Sequence, residues 1–422
     1  MRKIYTLILF SVLLQLNAQD TTKVLFVGNS FTYYNNMPQI VKAFADSAHL
    51  PMQWTMHAPG GISVGDVAQG SQAHMNNPVL YALIRSKKWD VMVLQDNQGR
   101  FVHDSAQFPA TSNSKVVEGH IMLMDSLKKY NSCAKVVLFG GWAFKNGSPP
   151  YGNTGIEMIR RILCNYVVIN DTMKEVIAPI GEAWIKGISY LPSVDLWDAD
   201  QAHPGLTGSY LTAAVIFSSI FNTPVKNLNH TNGIASGTAT TLRCFSDSVV
   251  FNPVMRAKYN LDGMQEVTPV YANGQLTVPG NFVSVKWYQN KTVISTSTAF
   301  TPTVDGSYYA IVKNSDGSFI KTCQLEVDVQ APPPATNGLN QISDTEISFY
   351  PNPASGGFIF VNVENLQQVE VYTISGTLVK TETEVTDKGL RINTEGLSSG
   401  CYFLSVKTQG GVSHHQLLIT KS

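Results

Sequence analysis

The stretch from Lys23 to Pro38, KVLFVGNSFTYYNNMP, constrains the fold more than any other part of the chain. Residues Val24–Val27 form an unbroken apolar run, which is typical of a central strand in a parallel sheet. Gly28 ends this run, and Pro38 is tolerated in a first helical turn, so the stretch predicts a strand, a tight turn and a helix. Ser30 then lies at the carboxyl end of the sheet, where open α/β folds place their ligands and helix amides stabilise negative charge. We therefore consider Ser30 a candidate nucleophile.

An Asp and a His three residues apart, Asp200 and His203, are the groups that a serine nucleophile needs. A hydroxyl is a weak nucleophile near neutral pH, so a base must take its proton and a carboxylate must orient that base and stabilise its cation. Pro204 favours an extended conformation at His203, which predicts a loop that precedes a helix. Each block alone also fits an ordinary turn or helix cap. The two blocks together predict a triad of Ser30, His203 and Asp200.

The paired blocks resemble those of the SGNH/GDSL hydrolase superfamily, and the resemblance covers residues 20–262. In that family a Gly-Asp-Ser or Gly-Asn-Ser block follows the first strand, and an Asp-x-x-His block lies near the end of the domain. The resemblance implies a three-layer α/β/α hydrolase domain in which Ser30 is the nucleophile, His203 the base and Asp200 the acid. It also implies ester hydrolysis without a metal or an organic cofactor. Asn29 stands where many members carry Asp.

Strand-like and helix-like segments alternate through the same region, which predicts a parallel sheet with helices on both faces. The predicted strands are Val24–Val27, Met52–His57, Val91–Leu94, Val136–Phe139 and Val176–Pro179. The predicted helices are Gln39–Ala48, Val79–Ser86, Val116–Lys129, Ile156–Val168 and Thr207–Phe221. This α/β pattern agrees with the fold that the family resemblance implies.

The same resemblance implies an oxyanion hole, the set of donors that stabilises negative charge during acyl transfer. The family's second block contributes a glycine amide. We predict Gly61 for this role, with Gly60 and Gly65 as alternatives. The family's third block, Gly-x-Asn-Asp, contributes an Asn side chain. We predict Asn97, and Gln95 is the alternative because it replaces the usual Gly.

A second serine, Ser63, lies in a Gly-x-Ser-x-Gly match that resembles the nucleophile elbow of α/β-hydrolases. In that fold the acid and the histidine normally lie far apart in the chain. Here the candidate acid and base are three residues apart, and no separate pair stands out. We therefore predict that Ser63 is a polar residue of the second block and not the nucleophile.

The first residues of the chain form a basic pair and an apolar run from Ile4 to Leu16, followed by a small-residue cleavage site at Ala18. This pattern predicts a secretory signal peptide over residues 1–18, too short to span a membrane. No later run reaches the length of a membrane span, so we expect no integral membrane segment in the mature chain. The formal net charge is zero and only 14% of residues are charged, which argues against nucleic acid as a partner.

The cysteines and histidines show no paired spacing that would indicate a zinc site or a disulfide framework. We therefore expect no metal. We also expect buried free thiols, and the alternative is one bridge inside the first domain. The five cysteines are Cys133, Cys164, Cys244, Cys323 and Cys401.

After residue 262 the pattern changes to short alternating strands with Gly-containing turns, which predicts an immunoglobulin-like β-sandwich over residues 265–329. Trp287 and the segment Asp305–Tyr309 resemble the core Trp and the tyrosine corner of such modules. A spacer role is our expectation, with glycan binding as the alternative. The proline-rich residues 330–346 predict a linker.

A further small β-domain is predicted over residues 347–422. It contains Tyr350-Pro351-Asn352-Pro353 near its start and Gly400-Cys401-Tyr402-Phe403 near its end. These motifs strongly resemble the C-terminal sorting domain of the type IX secretion system of Bacteroidetes. The resemblance implies that the type IX machinery exports the protein through the outer membrane, to be secreted or held at the cell surface.

These patterns together predict a secreted serine esterase that hydrolyses short-chain acyl esters, with acetylated polysaccharide as its candidate substrate. The substrate inference rests on export and on fold analogy. One alternative is a non-catalytic glycan-binding or adhesion protein with a degenerate hydrolase domain. The other is a lipase or thioesterase, which a preference for longer acyl chains would distinguish.

Overall fold

The computed structural model describes residues 20–102, 115–329, 348–352, 354–362, 366–373, 378–379, 381–386, 389–408 and 411–420. The chain separates into two compact units, one that ends at Val329 and one that begins at Gln330. The predicted signal peptide, residues 1–18, and the predicted linker, residues 330–346, lie outside the described residues.

The first unit contains a five-stranded sheet in which every pair of neighbouring strands is parallel. Its strands are β1 (Thr22–Val27), β2 (Met52–His57), β3 (Val91–Leu94), β4 (Lys135–Phe139) and β5 (Val176–Ala178). Their order across the sheet is β2-β1-β3-β4-β5, so the connection from β2 to β3 passes over β1. Every residue of β3 and β4 is buried, as expected when both faces of a parallel sheet are covered.

Helices connect and cover these strands. They are α1 (Ser30–Tyr33), α2 (Met37–Ser47), α3 (Pro78–Arg85), α4 (Val116–Tyr130), α5 (Gly155–Met173), α6 (Ile180–Tyr190), α7 (Leu206–Phe221), α8 (Ser236–Val250) and α9 (Pro253–Lys258). Because the strand order reverses direction after β2, right-handed crossovers place α2 on one face and α3, α4 and α5 on the other. Helix α7 packs against α2 and α8. The predicted α/β class is confirmed, whereas the short α1 and the whole of α6 were not predicted.

A β-module follows in the same unit. Its strands are β6 (Val270–Ala272), β7 (Gln275–Thr277), β8 (Ser284–Gln289), β9 (Thr292–Ser295), β10 (Ala299–Phe300), β11 (Gly306–Lys313), β12 (Phe319–Lys321) and β13 (Leu325–Val327). They form two antiparallel sheets around a core that includes the fully buried Trp287 and Tyr308. The Tyr308 hydroxyl donates a hydrogen bond to the Val304 carbonyl four residues upstream, which is the arrangement of a tyrosine corner.

A disulfide between Cys133 and Cys323 joins the α/β part of the first unit to the β-module. Our expectation of buried free thiols was therefore wrong for these two residues, and the bridge is not confined to the first domain. Cys164 and Cys244 are free but exposed. The sequence could not indicate this pairing because 190 residues separate its two cysteines and only the folded chain brings them together.

A buried ion pair lies at the same junction. Glu175, just before β5, accepts Lys128 at 2.5 Å and Lys321 of the β-module at 3.5 Å. The Phe319 amide donates to the side-chain oxygen of Asn260 at 2.6 Å. Burial raises the pKa of the Glu175 carboxyl, but the neighbouring lysine charges outweigh this effect and hold it below its ordinary value. The β-module and the α/β part are thus linked by covalent, ionic and hydrogen bonds.

The second unit contains two four-stranded antiparallel sheets. Strands β14 (Ser348–Tyr350), β15 (Phe358–Asn362), β19 (Gly389–Asn393) and β18 (Thr383–Thr386) form one sheet in that order. The other, in sheet order, contains β17 (Leu378–Val379), β16 (Leu366–Thr373), β20 (Gly400–Thr408) and β21 (Gly411–Ile419). Buried side chains from both sheets share one core, so the prediction of small all-β sandwiches after the parallel sheet is confirmed.

None of the helices in the described part of the chain has the length and apolar character that a membrane-spanning segment requires.

Candidate active site

The candidate site lies where the strand order of the parallel sheet reverses. The chain leaves β1 towards β2 on one side and later returns to β3 on the other side. In open α/β sheets this reversal leaves a crevice beyond the carboxyl ends of the strands, and ligands bind there. Val27, the last residue of β1, pairs with His57 of β2 and Leu94 of β3, so the loops after β2 and β3 flank the loop that carries Ser30.

Ser30 is the first residue of the short helix α1, and its position is fixed by its two predecessors. The Asn29 side chain caps the helix by accepting the Phe31 amide at 3.1 Å. A Cβ on Gly28 would lie 2.2 Å from the Thr32 hydroxyl and 2.5 Å from the Gln95 side chain, so only glycine fits there. The Ser30 amide has no hydrogen-bond partner among the described residues.

The structure brings the three predicted triad residues together. The Nε2 atom of His203 lies 2.8 Å from the Ser30 hydroxyl, although 173 residues separate them in the chain. On the opposite side of the ring, Nδ1 is hydrogen-bonded to the Asp200 carboxylate. If Nδ1 carries the proton, Nε2 is free to accept the serine proton, which is the arrangement a general base needs.

The Asp200 carboxylate is held mainly by its own loop. Its Oδ1 atom accepts the amides of Ala202 at 3.0 Å and His203 at 2.9 Å, which closes a tight turn. Burial raises the pKa of this carboxyl, but the hydrogen bonds from the His203 ring and the two amides outweigh that effect and hold the pKa at about 2. The nearby Asp195 instead pairs with Lys145, so it does not compete for the histidine.

Gln95, which follows β3, holds the nucleophile turn. Its side-chain oxygen accepts the Asn29 amide at 2.7 Å and the Thr32 hydroxyl at 2.9 Å. Asn29 in turn donates its side-chain amide to the Ile62 carbonyl in the loop after β2, at 3.0 Å. The turn is thus fixed to both flanking loops, and Gln95 acts as an anchor for it.

The two predicted oxyanion residues lie in these flanking loops. Gly61 is exposed in a turn after β2, with a φ of +72° that favours glycine. Asn97 accepts the Gly99 amide at 3.0 Å with its side-chain oxygen, and its side-chain nitrogen has no partner in the described segments. Of the alternatives, a Cβ on Gly65 would lie 2.2 Å from the Lys115 carbonyl, which shows that Gly65 serves close packing against α4.

Asp96 joins the two flanking loops, a role that the sequence analysis did not identify. Its fully buried carboxylate accepts the amides of Val64 and Asn97, both at 2.7 Å. Burial raises the pKa of this carboxyl, and the charge of the buried His120 partly opposes the rise. Its position between Gln95 and Asn97 is the only sequence signal that could have pointed to it.

A buried histidine, His74, is hydrogen-bonded to the nucleophile turn. Its Nε2 atom donates to the Gly28 carbonyl at 2.9 Å. Burial lowers its pKa to about 4, although the hydrogen bond to Gly28 opposes the shift, so the ring is neutral at ordinary pH. Ser63 is fully buried with no partner for its hydroxyl among the described residues, which makes it inaccessible to a substrate.

Aromatic rings surround the His203 imidazole. Tyr34 stacks on its face with ring centres 4.1 Å apart, and Phe31 meets it edge-on at 5.4 Å. Phe31 stacks on the buried Trp142, whose indole nitrogen donates to the Ala202 carbonyl at 3.0 Å. Trp142 is therefore a packing residue that also holds the histidine loop.

One group of potential metal ligands occurs among the described residues, formed by Cys133, Cys323 and Glu266. The two cysteine sulfurs are bonded to each other, so neither can act as a thiolate ligand. This group also lies away from the Ser30 loop, before β4 and within the β-module.

Comparison with known proteins identifies the C-terminal part of the chain. Residues 348–420 match the family model of the secretion system C-terminal sorting domain. The predicted sorting domain is thereby confirmed, and the protein is marked for export, to be secreted or held at the cell surface. A comparison of the sequence with curated proteins gives no match.

Several solved structures are similar to about half of the chain. A DUF4886 family protein from Bacteroides uniformis is 15% identical with a TM-score of 0.46, and the match covers 56% of this chain and 96% of that one. A candidate GDSL-like lipase from Parabacteroides merdae is 13% identical with a TM-score of 0.35, covering 52% and 96%. An acetylxylan esterase from Geobacillus stearothermophilus is 15% identical with a TM-score of 0.32, covering 46% and 92%.

Proposed function

We propose that the protein is an exported serine esterase of the SGNH type that uses Ser30, His203 and Asp200. The observation that carries this proposal is the hydrogen-bonded chain from the Ser30 hydroxyl through both nitrogens of His203 to the Asp200 carboxylate. Such a chain activates a hydroxyl for attack on a carbonyl carbon. It lies at the sheet crevice, where a substrate can reach it.

In the first half of the reaction, His203 Nε2 takes the Ser30 proton while the serine oxygen bonds to the ester carbonyl carbon. The carbonyl oxygen becomes an oxyanion. As it re-forms the double bond, the bond to the alcohol oxygen breaks, and that oxygen receives the proton from Nε2. Ser30 then carries the acyl group, and the alcohol leaves.

In the second half, water gives a proton to Nε2 and its oxygen attacks the acyl carbon. Collapse of this intermediate breaks the bond to Ser30, which regains its proton from Nε2, and the free acid leaves. Asp200 keeps the proton of Nδ1 in place and stabilises the ring each time it becomes a cation. The residues return to their starting states.

For the oxyanion we propose three donors: the amides of Ser30 and Gly61 and the side chain of Asn97. Two observations support this set. The loops of Gly61 and Asn97 flank the Ser30 loop because β2 and β3 flank β1. The side-chain nitrogen of the alternative, Gln95, already donates to the Asp96 carbonyl, while its oxygen accepts from the nucleophile turn. Donors of this kind often contribute the largest electrostatic stabilisation in acyl transfer.

As substrates we propose short-chain acyl esters, and acetyl groups on polysaccharides in particular. Export brings the enzyme to extracellular polymers. The exposed Tyr33 ring lies close to Ser30 in the chain and suits contact with a sugar ring.

The proposal is tested by fluorophosphonate labelling with peptide mapping and by hydrolysis of p-nitrophenyl acetate and palmitate. We expect the adduct on Ser30, its loss in His203→Ala, and activity on the acetate ester alone. Ser30→Ala should lower kcat by about 10⁴-fold or more, whereas Ser63→Ala should fold and label as the wild type does. An adduct on Ser63 would overturn the triad, and no adduct with intact polysaccharide binding would favour an adhesion protein.

A further inference from the structure

The ring of Tyr34 lies parallel to the imidazole of His203, with centres 4.1 Å apart and planes inclined by 9°. The edge contact from Phe31 comes from the same short segment, which begins at Ser30. We propose that Tyr34 is a positioning residue for His203 that holds the imidazole plane and stabilises its cation. This inference rests on the proposed esterase function and adds a residue to that site.

The position of Tyr34 against the histidine loop is fixed from both of its ends. On its amino-terminal side, the Tyr34 amide donates to the Ser30 carbonyl. On its carboxyl-terminal side, the Asn35 side chain donates to the Pro204 carbonyl and to the Ser209 hydroxyl, both at 2.9 Å. The ring therefore keeps its place over the imidazole through contacts that do not involve the ring.

Asn35 makes these contacts from a left-handed backbone conformation, with a φ of +51°. Asn36 follows with a φ of +52°. Such conformations are uncommon outside glycine, and Asn tolerates them better than most residues. A strained segment persists when surrounding contacts hold it, and strain of this kind clusters at functional sites. The hydrogen bond from the Asn35 side chain to the Pro204 carbonyl is such a contact.

The electrostatics of an aromatic face suit a base that becomes a cation. The face of a phenol ring carries negative quadrupole charge and attracts a cation within about 6 Å of its centre. Among the described residues, the charged or titratable groups that act on the Tyr34 phenol are Asp200 and Asp198 on the His203 loop and the neighbouring Tyr33. Asp200 is also paired with the His203 ring. Burial and the Asp200 charge raise the pKa of the Tyr34 phenol, so the ring itself stays uncharged.

The test compares Tyr34→Phe, which keeps the aromatic face, with Tyr34→Leu, which keeps only apolar bulk. Tyr190→Leu replaces a tyrosine that is 73% exposed and serves as the matched control. The first readout needs no activity. Proton NMR of the His203 ring, assigned by comparison with His203→Asn, detects the shielding of its C–H protons by the Tyr34 face. We expect this shielding in the wild type, in Tyr34→Phe and in the control, and its loss in Tyr34→Leu.

The second readout is the hydrolysis of p-nitrophenyl acetate. We expect Tyr34→Phe to stay within about threefold of the wild type and Tyr34→Leu to lose about tenfold in kcat at an unchanged KM. The acid limb of its kcat profile should move to lower pH, because the imidazolium has lost a stabilising neighbour. A residue that only fills space would leave this limb where it is.

Two results would overturn the inference. One is a Tyr34→Leu variant with wild-type shielding or with wild-type kcat and pH profile. The other is equal damage in Tyr34→Phe and Tyr34→Leu, which would assign the effect to the hydroxyl. An inactive wild type whose shielding is still lost in Tyr34→Leu would refute the proposed esterase and leave the contact between the two rings standing.

Discussion

Cys133 and Cys323 are bonded to each other across 190 residues, one just before β4 and the other after β12 in the β-module. A bridge of this kind restricts the unfolded chain because it closes a very long loop. It also needs an oxidising compartment, which agrees with a protein marked for export. The first unit therefore depends on a covalent link between its α/β part and its β-module.

Cys323→Ser should lower the free energy of unfolding of the first unit by about 3–5 kcal/mol, since the unfolded chain regains the entropy of the open loop. Chemical denaturation of the oxidised wild type and the variant measures this difference. Cys164→Ser and Cys244→Ser are matched controls because both thiols are free and exposed. Equal stability of Cys323→Ser and the two controls would contradict the structural role of the bridge.

Glu175→Gln should lower the free energy of unfolding by about 3–5 kcal/mol, because it leaves the buried Lys128 ammonium without its counter-charge. Adding Lys128→Met should recover part of this loss, because the second change removes the uncompensated charge. Urea denaturation of the two single variants and the double variant measures the coupling. The exposed pair of Lys42 and Asp46 gives the control, since Asp46→Asn should cost less than about 1 kcal/mol.

Asn29→Asp should destabilise the protein and impair any esterase activity, although the substitution keeps the cap on α1. The side-chain amide that donates to the Ile62 carbonyl is lost, and a carboxylate oxygen takes its place 3.0 Å from that carbonyl. We expect the free energy of unfolding to fall by about 1–3 kcal/mol at pH 8. A buried carboxyl in this place is favoured only when protonated, so the loss should shrink as the pH falls to 5.

Denaturation at the two pH values tests this prediction for Asn29→Asp. Asn77→Asp is the matched control, because the Asn77 side chain caps α3 by accepting the amides of Val79 and Leu80. An aspartate fulfils that role equally well. If both substitutions behave alike at pH 8, the donor function of Asn29 is refuted.

His74→Gln should make the free energy of unfolding less dependent on pH between about 4 and 6.5. The pKa of His74 in the folded protein, about 4, lies below its ordinary value of about 6.5, so the unfolded chain binds a proton that the folded chain excludes. The contribution of the neutral His74 ring to the free energy of unfolding is complete above about pH 6.5. It falls by about 3 kcal/mol as the pH falls towards 4. Glutamine keeps a donor for the Gly28 carbonyl but does not titrate.

The measurement is the free energy of unfolding between pH 4 and 7. In the variant, the slope of the free energy of unfolding against pH should correspond to the uptake of about one proton fewer on unfolding than in the wild type. The exposed His49 provides the control, since His49→Asn removes a histidine that is not buried. An unchanged slope in His74→Gln would show that His74 is protonated in the folded state.

The parallel sheet was predictable because most of its strands contain a short apolar run with local limits. Residues Val91–Leu94 and Val24–Val27 appear in the structure as predicted. Helix α6 was not predicted because Pro179 precedes it and Gly181 and Gly187 interrupt its pattern. A Cβ on Gly181 would lie 2.6 Å from the Gly141 carbonyl, so that glycine serves close packing that only the fold reveals.

The candidate triad could be proposed from sequence because both of its blocks are local patterns of a few residues. The contacts that hold the triad residues in place instead join residues that are far apart in the chain. Gln95, Asp96 and His74 reach the nucleophile turn or its flanking loops from distant parts of the chain. Tyr34 lies four residues after Ser30, but its contact with His203 depends on how two loops meet. No spacing rule describes such contacts.

The junction with the β-module has a consequence for the two edges of the parallel sheet. Cys133 and Glu175 both lie just before strands of the parallel sheet, at the edge opposite to Ser30. The bonds that hold the β-module and the proposed reaction at Ser30 thus belong to opposite edges of one sheet, so a large substrate of the proposed esterase would meet Ser30 at the edge opposite to these bonds.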